Sequence, residues 1–132
     1  EYRDRFGPDF LIRRLLDRLT GEGPEAAAIS DIRTPQDVKM LRRSFGYDFL
    51  LVHIQADPEV RFRRLRERGA PRDPQTWEEF IHQDREEEKR FHISSTAALA
   101  DLTLTNNGSR SDFHRKVDHQ VIEGFLKRPQ GR

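Results

Sequence analysis

No cysteine occurs in the sequence, which excludes a disulfide framework, a thiolate metal site and a cysteine nucleophile. No stretch approaches the roughly 18 consecutive apolar residues of a membrane span, and nothing resembles a signal peptide. A membrane partner is therefore not expected, and a cytoplasmic location is. The formal net charge is only +1, so there is no global electrostatic reason to expect nucleic acid as a partner. Internal repeats and low-complexity tracts are also missing. The first residue is Glu1 rather than methionine, which reads as a processed, trimmed or partial chain. At 132 residues the length suits one domain with a real core, small for an enzyme. Charged residues make up 36% and hydrophobic ones 34%, with a mean hydropathy of -0.89. That balance describes a surface-rich protein. Its apolar residues cluster in periodic runs, unlike those of a disordered chain.

The runs alternate in type. Leu11, Ile12, Leu15, Leu16 and Leu19 form one helical stripe, with Pro8 suited to the first turn and the Gly-Glu-Gly-Pro segment as its end. Residues 26–30 (Ala-Ala-Ala-Ile-Ser) are too short for a helix between such breakers and read as a buried strand. Thr34 then fits an N-cap, with Pro35 and Asp37 in the first turn, Val38, Leu41 and Phe45 at helical spacing, and Gly46 as the stop. The run 49–55, nearly apolar throughout, is expected to be a strand buried on both faces, as in parallel sheets.

Asp57-Pro58 caps a helix that reaches Gly69, and Thr76 with Glu79 forms a capping box for another reaching about Arg90, with Trp77, Phe80, Ile81 and Phe91 inward. Residues 100–106 give a third strand, closed by an Asn-Asn-Gly-Ser turn. A last helix carries Phe113, Val117, Val121 and Phe125 before fraying over Arg128–Arg132. Strands separated by helices and long connections imply an α/β fold with a parallel sheet. Three strands make a thin sheet, and further strands are expected upstream.

Ligands of open parallel sheets bind beyond the carboxyl ends of the strands. Those ends would gather Asp31 with Arg33, Asp57, and the Asn106-Asn107-Gly108 turn. For Asp57 and Asn107-Gly108, capping and turn chemistry is the favoured account; for Arg33 the balance is reversed. A guanidinium directly after a buried strand has no capping role, and its fork suits a phosphate or carboxylate. Arg61, Arg64 and Arg68 share a helix face, at i, i+3 and i+7. They read either as a solvated basic face or as a polyphosphate clamp. Three guanidiniums on one face repel unless an anion or acid lies among them. Asp84, Glu87 and Glu88 are the available acids, and Asp84, close to the Trp77–Ile81 stripe, needs a partner most. Two salt-bridged helices forming a hinged lid over about 61–90 satisfy both readings. His53, mid-strand, reads as a core residue. No pair of histidines has metal spacing with a carboxylate, so no metal site is expected; no nucleophile elbow is visible.

The order of these pieces, from Phe6 through Ser30-Asp31-Ile32-Arg33 and the arginine-rich helix to the Asn106-Asn107-Gly108 turn, resembles the later two-thirds of P-loop kinases acting on small phosphorylated metabolites. The similarity is to the dephospho-CoA kinase and deoxynucleoside-monophosphate-kinase-like group, with phosphomevalonate kinases of the animal type as a rival. The resemblance covers residues 6 to 126. It implies a P-loop nucleoside-triphosphate hydrolase-like three-layer sandwich, ATP and Mg²⁺ as cofactors, and a small phosphorylated molecule as acceptor. Asp31 and Arg33 would face the acceptor, with Arg33 on its phosphate. Arg61, Arg64 and Arg68 would line the phosphate side as catalytic residues, Arg72 and Asp73 would belong to the lid, and Asn106, Asn107 and Gly108 would border the adenine through their backbone. Phosphoryl transfer depends mostly on positioning and charge neutralisation, which suits arginines and a closing lid.

One part of that machinery is missing. The family's Gly-x-x-x-x-Gly-Lys-Ser/Thr loop cradles phosphates and places a hydroxyl on Mg²⁺. None of the four lysines, Lys39, Lys89, Lys116 and Lys127, follows a glycine. The chain alone is therefore expected to be inactive, as part of a single kinase-like domain over 1–132 whose phosphate loop lies upstream. The alternative is a non-catalytic nucleotide-binding or interaction domain without that loop.

Overall fold

The computed structural model describes residues 2–127; the fraying expected over Arg128–Arg132 lies outside them. In chain order the elements are α1 (Tyr2–Phe6), α2 (Phe10–Glu22), α3 (Pro35–Phe45), a 3₁₀ turn (Gly46–Asp48), β1 (Val52–Gln55), α4 (Pro58–Arg68), α5 (Trp77–Phe91), α6 (Ile93–Ala97), β2 (Leu102–Thr105), α7 (Arg110–Val117) and a π-helical segment (Asp118–Leu126). The fold is α/β: mostly helices, with a small parallel two-stranded sheet in which Val52 pairs with Leu102 and Gln55 with Thr105. Two compact units divide the chain. One holds the residues up to Phe49 together with Glu88–Leu99, the other Leu50–Glu87 together with the residues from Ala100 onward.

In the first unit, Ile12 of α2, Val38 and Leu41 of α3, and Phe91 at the end of α5 form the buried apolar set. Thr34 caps α3 by accepting from the Asp37 N–H at 3.3 Å, with Pro35 in the first turn. Gly23 takes the left-handed conformation that ends α2, at φ 55°. Pro8 lies in the turn before α2 rather than inside it, and Leu11 is exposed.

In the second unit, Leu51, Phe80 and Leu104 are buried. The Asp101 carboxylate accepts from the Leu51 N–H at 2.8 Å and extends the ladder at its start. The capping box of α5 is present: Thr76 Oγ1 accepts from the Glu79 N–H at 3.2 Å, while Glu79 Oε2 accepts from the Gln75 and Thr76 N–H groups. Gly69, at φ 61°, ends α4.

Four expectations need correction. Residues 26–30 form no strand, and the three alanines are exposed. A strand exists only through its neighbour, and three Ala side chains offer little apolar area to hold one. The run 49–55 contributes only Val52–Gln55 to the sheet and is not buried on both faces, since Ile54 is 53% exposed; His53 is half-buried. Trp77 is 37% exposed although it stands in the inward stripe. The last helix changes at Asp118 from the α ladder to i→i+5 bonding, ending with the Lys127 N–H on the Ile122 carbonyl at 2.9 Å. Phe113, Val117, Val121 and Phe125 are half-buried along it.

Candidate functional site

The second unit holds a cleft of about 500 Å³ between α4 and α5. The helical spacing of Arg61, Arg64 and Arg68 brings all three to it from α4, and Phe80, Gln83, Asp84 and Glu87 come from the facing side of α5. Leu65, Asp73 and Pro74 complete the lining.

Arg61 is fixed on three sides. Its Nη1 and Nη2 donate to the two carboxylate oxygens of Asp84 at 2.9 and 2.7 Å, and its Nε donates to the Ala56 carbonyl at 3.2 Å. The guanidinium carbon stands 5.1 Å from the Phe80 ring centroid, within cation–π range. Phe80 in turn packs with Trp77 and Phe62 at centroid distances of 5.3 and 5.6 Å. The need of Asp84 for a partner, read from its place beside an apolar stripe, is met by Arg61.

Arg64 ties α4 to the end of the sheet. Its Nη1 donates to the Asn106 carbonyl at 2.6 Å and its Nη2 to the Gly108 carbonyl at 3.0 Å. The same turn is held from another side, where Asn107 Oδ1 accepts from the Asp57 N–H at 2.8 Å. The side-chain cap expected of Asp57 needs correction: Asp57 stands at the N-terminal end of α4, but its carboxylate makes no capping hydrogen bond. At Gly108 a Cβ would meet Asp112 Oδ2 at 3.1 Å, so the turn has little room for a larger residue.

Arg68 forms a two-point pair with Asp73, its Nε at 2.8 Å from Oδ2 and its Nη2 on Oδ1. The Ala70 N–H also donates to Asp73, at 3.0 Å. Hydrogen bonding from Arg68 holds the Asp73 carboxyl below the usual carboxylate range, against the opposing effect of burial and with help from the Ala70 N–H. The Arg68 guanidinium is raised in turn by the same bond. Asp73 is thus a buried anchor of the loop, whereas Arg72 beside it is exposed.

A guanidinium has five N–H donors. Arg61 uses three of them on protein atoms, Arg64 two and Arg68 two. Each keeps at least two for a ligand. The cleft's formal charge is nevertheless balanced, with Asp73, Asp84 and Glu87 facing the three arginines.

Asp31 and Arg33 belong to the first unit and follow no strand. Asp31 is exposed and takes φ 61°, a region L side chains rarely adopt. Arg33 is held at both ends: its carbonyl accepts from Thr96 Oγ1 at 2.7 Å, and its guanidinium carbon lies 5.0 Å from the Phe91 ring centroid. Arg90 stands 5.2 Å from the same ring. Thr96 and Phe91 are both buried.

Sequence reasoning missed Phe80 as the ring beneath Arg61, and Thr96, Phe91 and Arg90 around Arg33. The spacing of Phe80 from Asp84, one helical turn, was the available signal for the first. Nothing local in sequence joins Thr96 to Arg33. Among the described residues no group of three or more His, Asp or Glu side chains could hold a metal ion, and no helix is long and apolar enough to cross a membrane.

These features define an α/β protein with an arginine-lined cleft between α4 and α5. The chain is 37% identical over 128 residues to a UPF0200 protein of Thermococcus kodakarensis, covering 95% of this chain and 69% of that one. It is 33% identical over 122 residues to a UPF0200 protein of Pyrococcus horikoshii, covering 90% of this chain and 65% of the relative. A UPF0200 protein of Thermococcus gammatolerans is 36% identical over 112 residues, 82% of this chain and 58% of its own length. The chain belongs to the UPF0200 family. It spans between 58% and 69% of the length of these three relatives. No family model and no solved structure matches it.

Proposed function

We propose that the chain is the acceptor, lid and adenine-side part of an ATP-dependent phosphotransferase for a small phosphorylated molecule, of nucleotide, dephospho-CoA or phosphomevalonate type. One observation carries this reading. Arg61 and Arg64 bond to the Ala56, Asn106 and Gly108 carbonyls, the residues just past β1 and β2. Guanidiniums with donors to spare therefore gather beyond the carboxyl ends of two parallel strands, where open α/β sheets bind ligands. On this proposal Arg61, Arg64 and Arg68 neutralise transferring phosphate, Arg72 and Asp73 belong to the lid, Asp31 and Arg33 face the acceptor, and the 106–108 turn borders the adenine. The sheet would be part of a P-loop-type three-layer sandwich, in the cytoplasm, with neither nucleic acid nor membrane as partner.

The residues present do not by themselves fit Mg²⁺-ATP. No Gly-Lys-Ser/Thr loop occurs in the sequence, and no metal-ligating cluster occurs among the described residues. The phosphate loop is, on this proposal, supplied by sequence outside these 132 residues. The balanced charge of the cleft favours a second reading, a non-catalytic nucleotide-binding or interaction domain. ATP turnover by the full-length protein with a panel of nucleotide, dephospho-CoA and phosphomevalonate acceptors tests both. Acceptor-dependent ADP release that Arg64→Ala abolishes supports the kinase. ATP binding without turnover on any acceptor supports the nucleotide-binding form of the second reading, and no ATP binding refutes the kinase and leaves only the interaction domain.

A further inference from the structure

The cleft between α4 and α5 contains its own anion. Asp84 occupies the Nη1–Nη2 edge of Arg61 with two nearly parallel bonds, 2.9 and 2.7 Å, above the ring of Phe80. That edge presents two N–H donors side by side and so can seat any group with two suitably spaced oxygens, a phosphate as well as a carboxylate. The pair is accessible, both side chains being about two-fifths exposed, so solvent and salt weaken it and exchange costs little. Arg68 and Asp73 form the contrasting case in the same cleft. There the carboxylate is buried and also fastened to the Ala70 N–H, so that pair is built to stay.

The cleft's charge makes exchange necessary. Three guanidiniums already face Asp73, Asp84 and Glu87. An oxyanion that simply entered would add negative charge to a neutral pocket. One that replaced Asp84 on Arg61 would keep the arginine paired and release a carboxylate on α5 toward water. Phe80 is 2% exposed and packed against Trp77 and Phe62, so the platform under Arg61 stays in place while the anion above it changes.

Resting on the anion-binding role proposed for this cleft, we infer that Asp84 is a resident stand-in for the ligand. It marks the seat of a terminal phosphate-type oxyanion on Arg61 and leaves that seat when the ligand arrives. Asp84 is thereby an internal competitor, raising the concentration of ligand needed to fill the cleft.

The test is calorimetric titration of the chain with pyrophosphate at fixed ionic strength. The proteins compared are the wild type, Asp84→Asn, Arg61→Ala and the double variant, with circular dichroism confirming that each is folded. Removing the competitor should tighten pyrophosphate binding about fivefold, the scale of an accessible ion pair. Arg61→Ala should weaken binding, and in its background Asp84→Asn should change nothing, because there is no longer a shared seat. Asp84→Glu, which restores the carboxylate, should return the affinity toward wild type. Three results overturn the inference while leaving the cleft an anion site: binding unchanged or weakened by Asp84→Asn, binding unaffected by Arg61→Ala, or the full gain persisting without Arg61, which would be a simple field effect. Failure of wild type and Asp84→Asn alike to bind pyrophosphate overturns both the inference and the reading of the cleft beneath it.

Discussion

Arg64 donates to the carbonyl of Asn106 at 2.6 Å, and its second terminal nitrogen reaches Gly108 at 3.0 Å. One side chain thus closes the end of β2 onto α4 across 42 residues of sequence. Its removal leaves two main-chain acceptors without that donor pair. Arg64→Ala should lower the unfolding free energy by about 1–3 kcal/mol, measured by urea denaturation. Arg64→Lys should recover less than half of the loss, because an ammonium lacks the planar fork that spans both carbonyls.

Asp73 supplies a pH signature. Its carboxyl is held below the ordinary value by Arg68, so the folded chain binds that proton more weakly than the unfolded chain does. The associated stability is present above the unfolded carboxylate range and is lost as pH falls below about 4. Asp73→Asn should melt at a lower temperature than wild type at pH 7. The gap should shrink as pH drops from about 4 toward 2; a constant gap across that range would assign the loss to packing alone.

The backbone at Asp31 makes a third prediction. At φ 61° a Cβ is disfavoured, and a branched one most of all. The stability order at this position should be Gly above Ala above Val, with about 2 kcal/mol between the extremes, read from thermal melts. An equal effect of all three would mean that the left-handed turn is not retained in solution.

Arg33 tests the proposed division of labour. In the full-length protein, Arg33→Ala should weaken acceptor binding or turnover and leave ATP affinity nearly intact. Its loss from the Phe91 ring should cost about 0.5–1 kcal/mol of stability, a readout separate from activity. Equal loss of ATP and acceptor binding would contradict the assigned role.

Helix ends were legible in the sequence because their signals are local. Thr34, the Thr76–Glu79 box and Gly69 each act on neighbours within four residues, and each is found where its chemistry placed it. The strand expected at 26–30 failed for the opposite reason: pairing depends on a distant segment, and composition alone cannot supply one. The same limit applies in the cleft. A carboxylate at position 84 announced its need for a cation by sitting beside an apolar stripe, but only the packing of α4 on α5 selects Arg61 among the arginines of that helix. The partners of Arg64 were illegible, since main-chain carbonyls leave no mark on a sequence. Trp77 shows a further limit, because helical spacing assigns a face without saying whether anything covers it.

The parallel ladder has a kinetic consequence. Val52 meets Leu102 and Gln55 meets Thr105, so every rung joins residues fifty positions apart, with three helices, α4, α5 and α6, in the intervening chain. Such a sheet has no hairpin to nucleate it, and closing the long loop comes before any rung can form. Refolding of the second unit should therefore be paced by docking of α4 and α5, with strand pairing as the late step and the helices gaining protection from amide exchange before the ladder does.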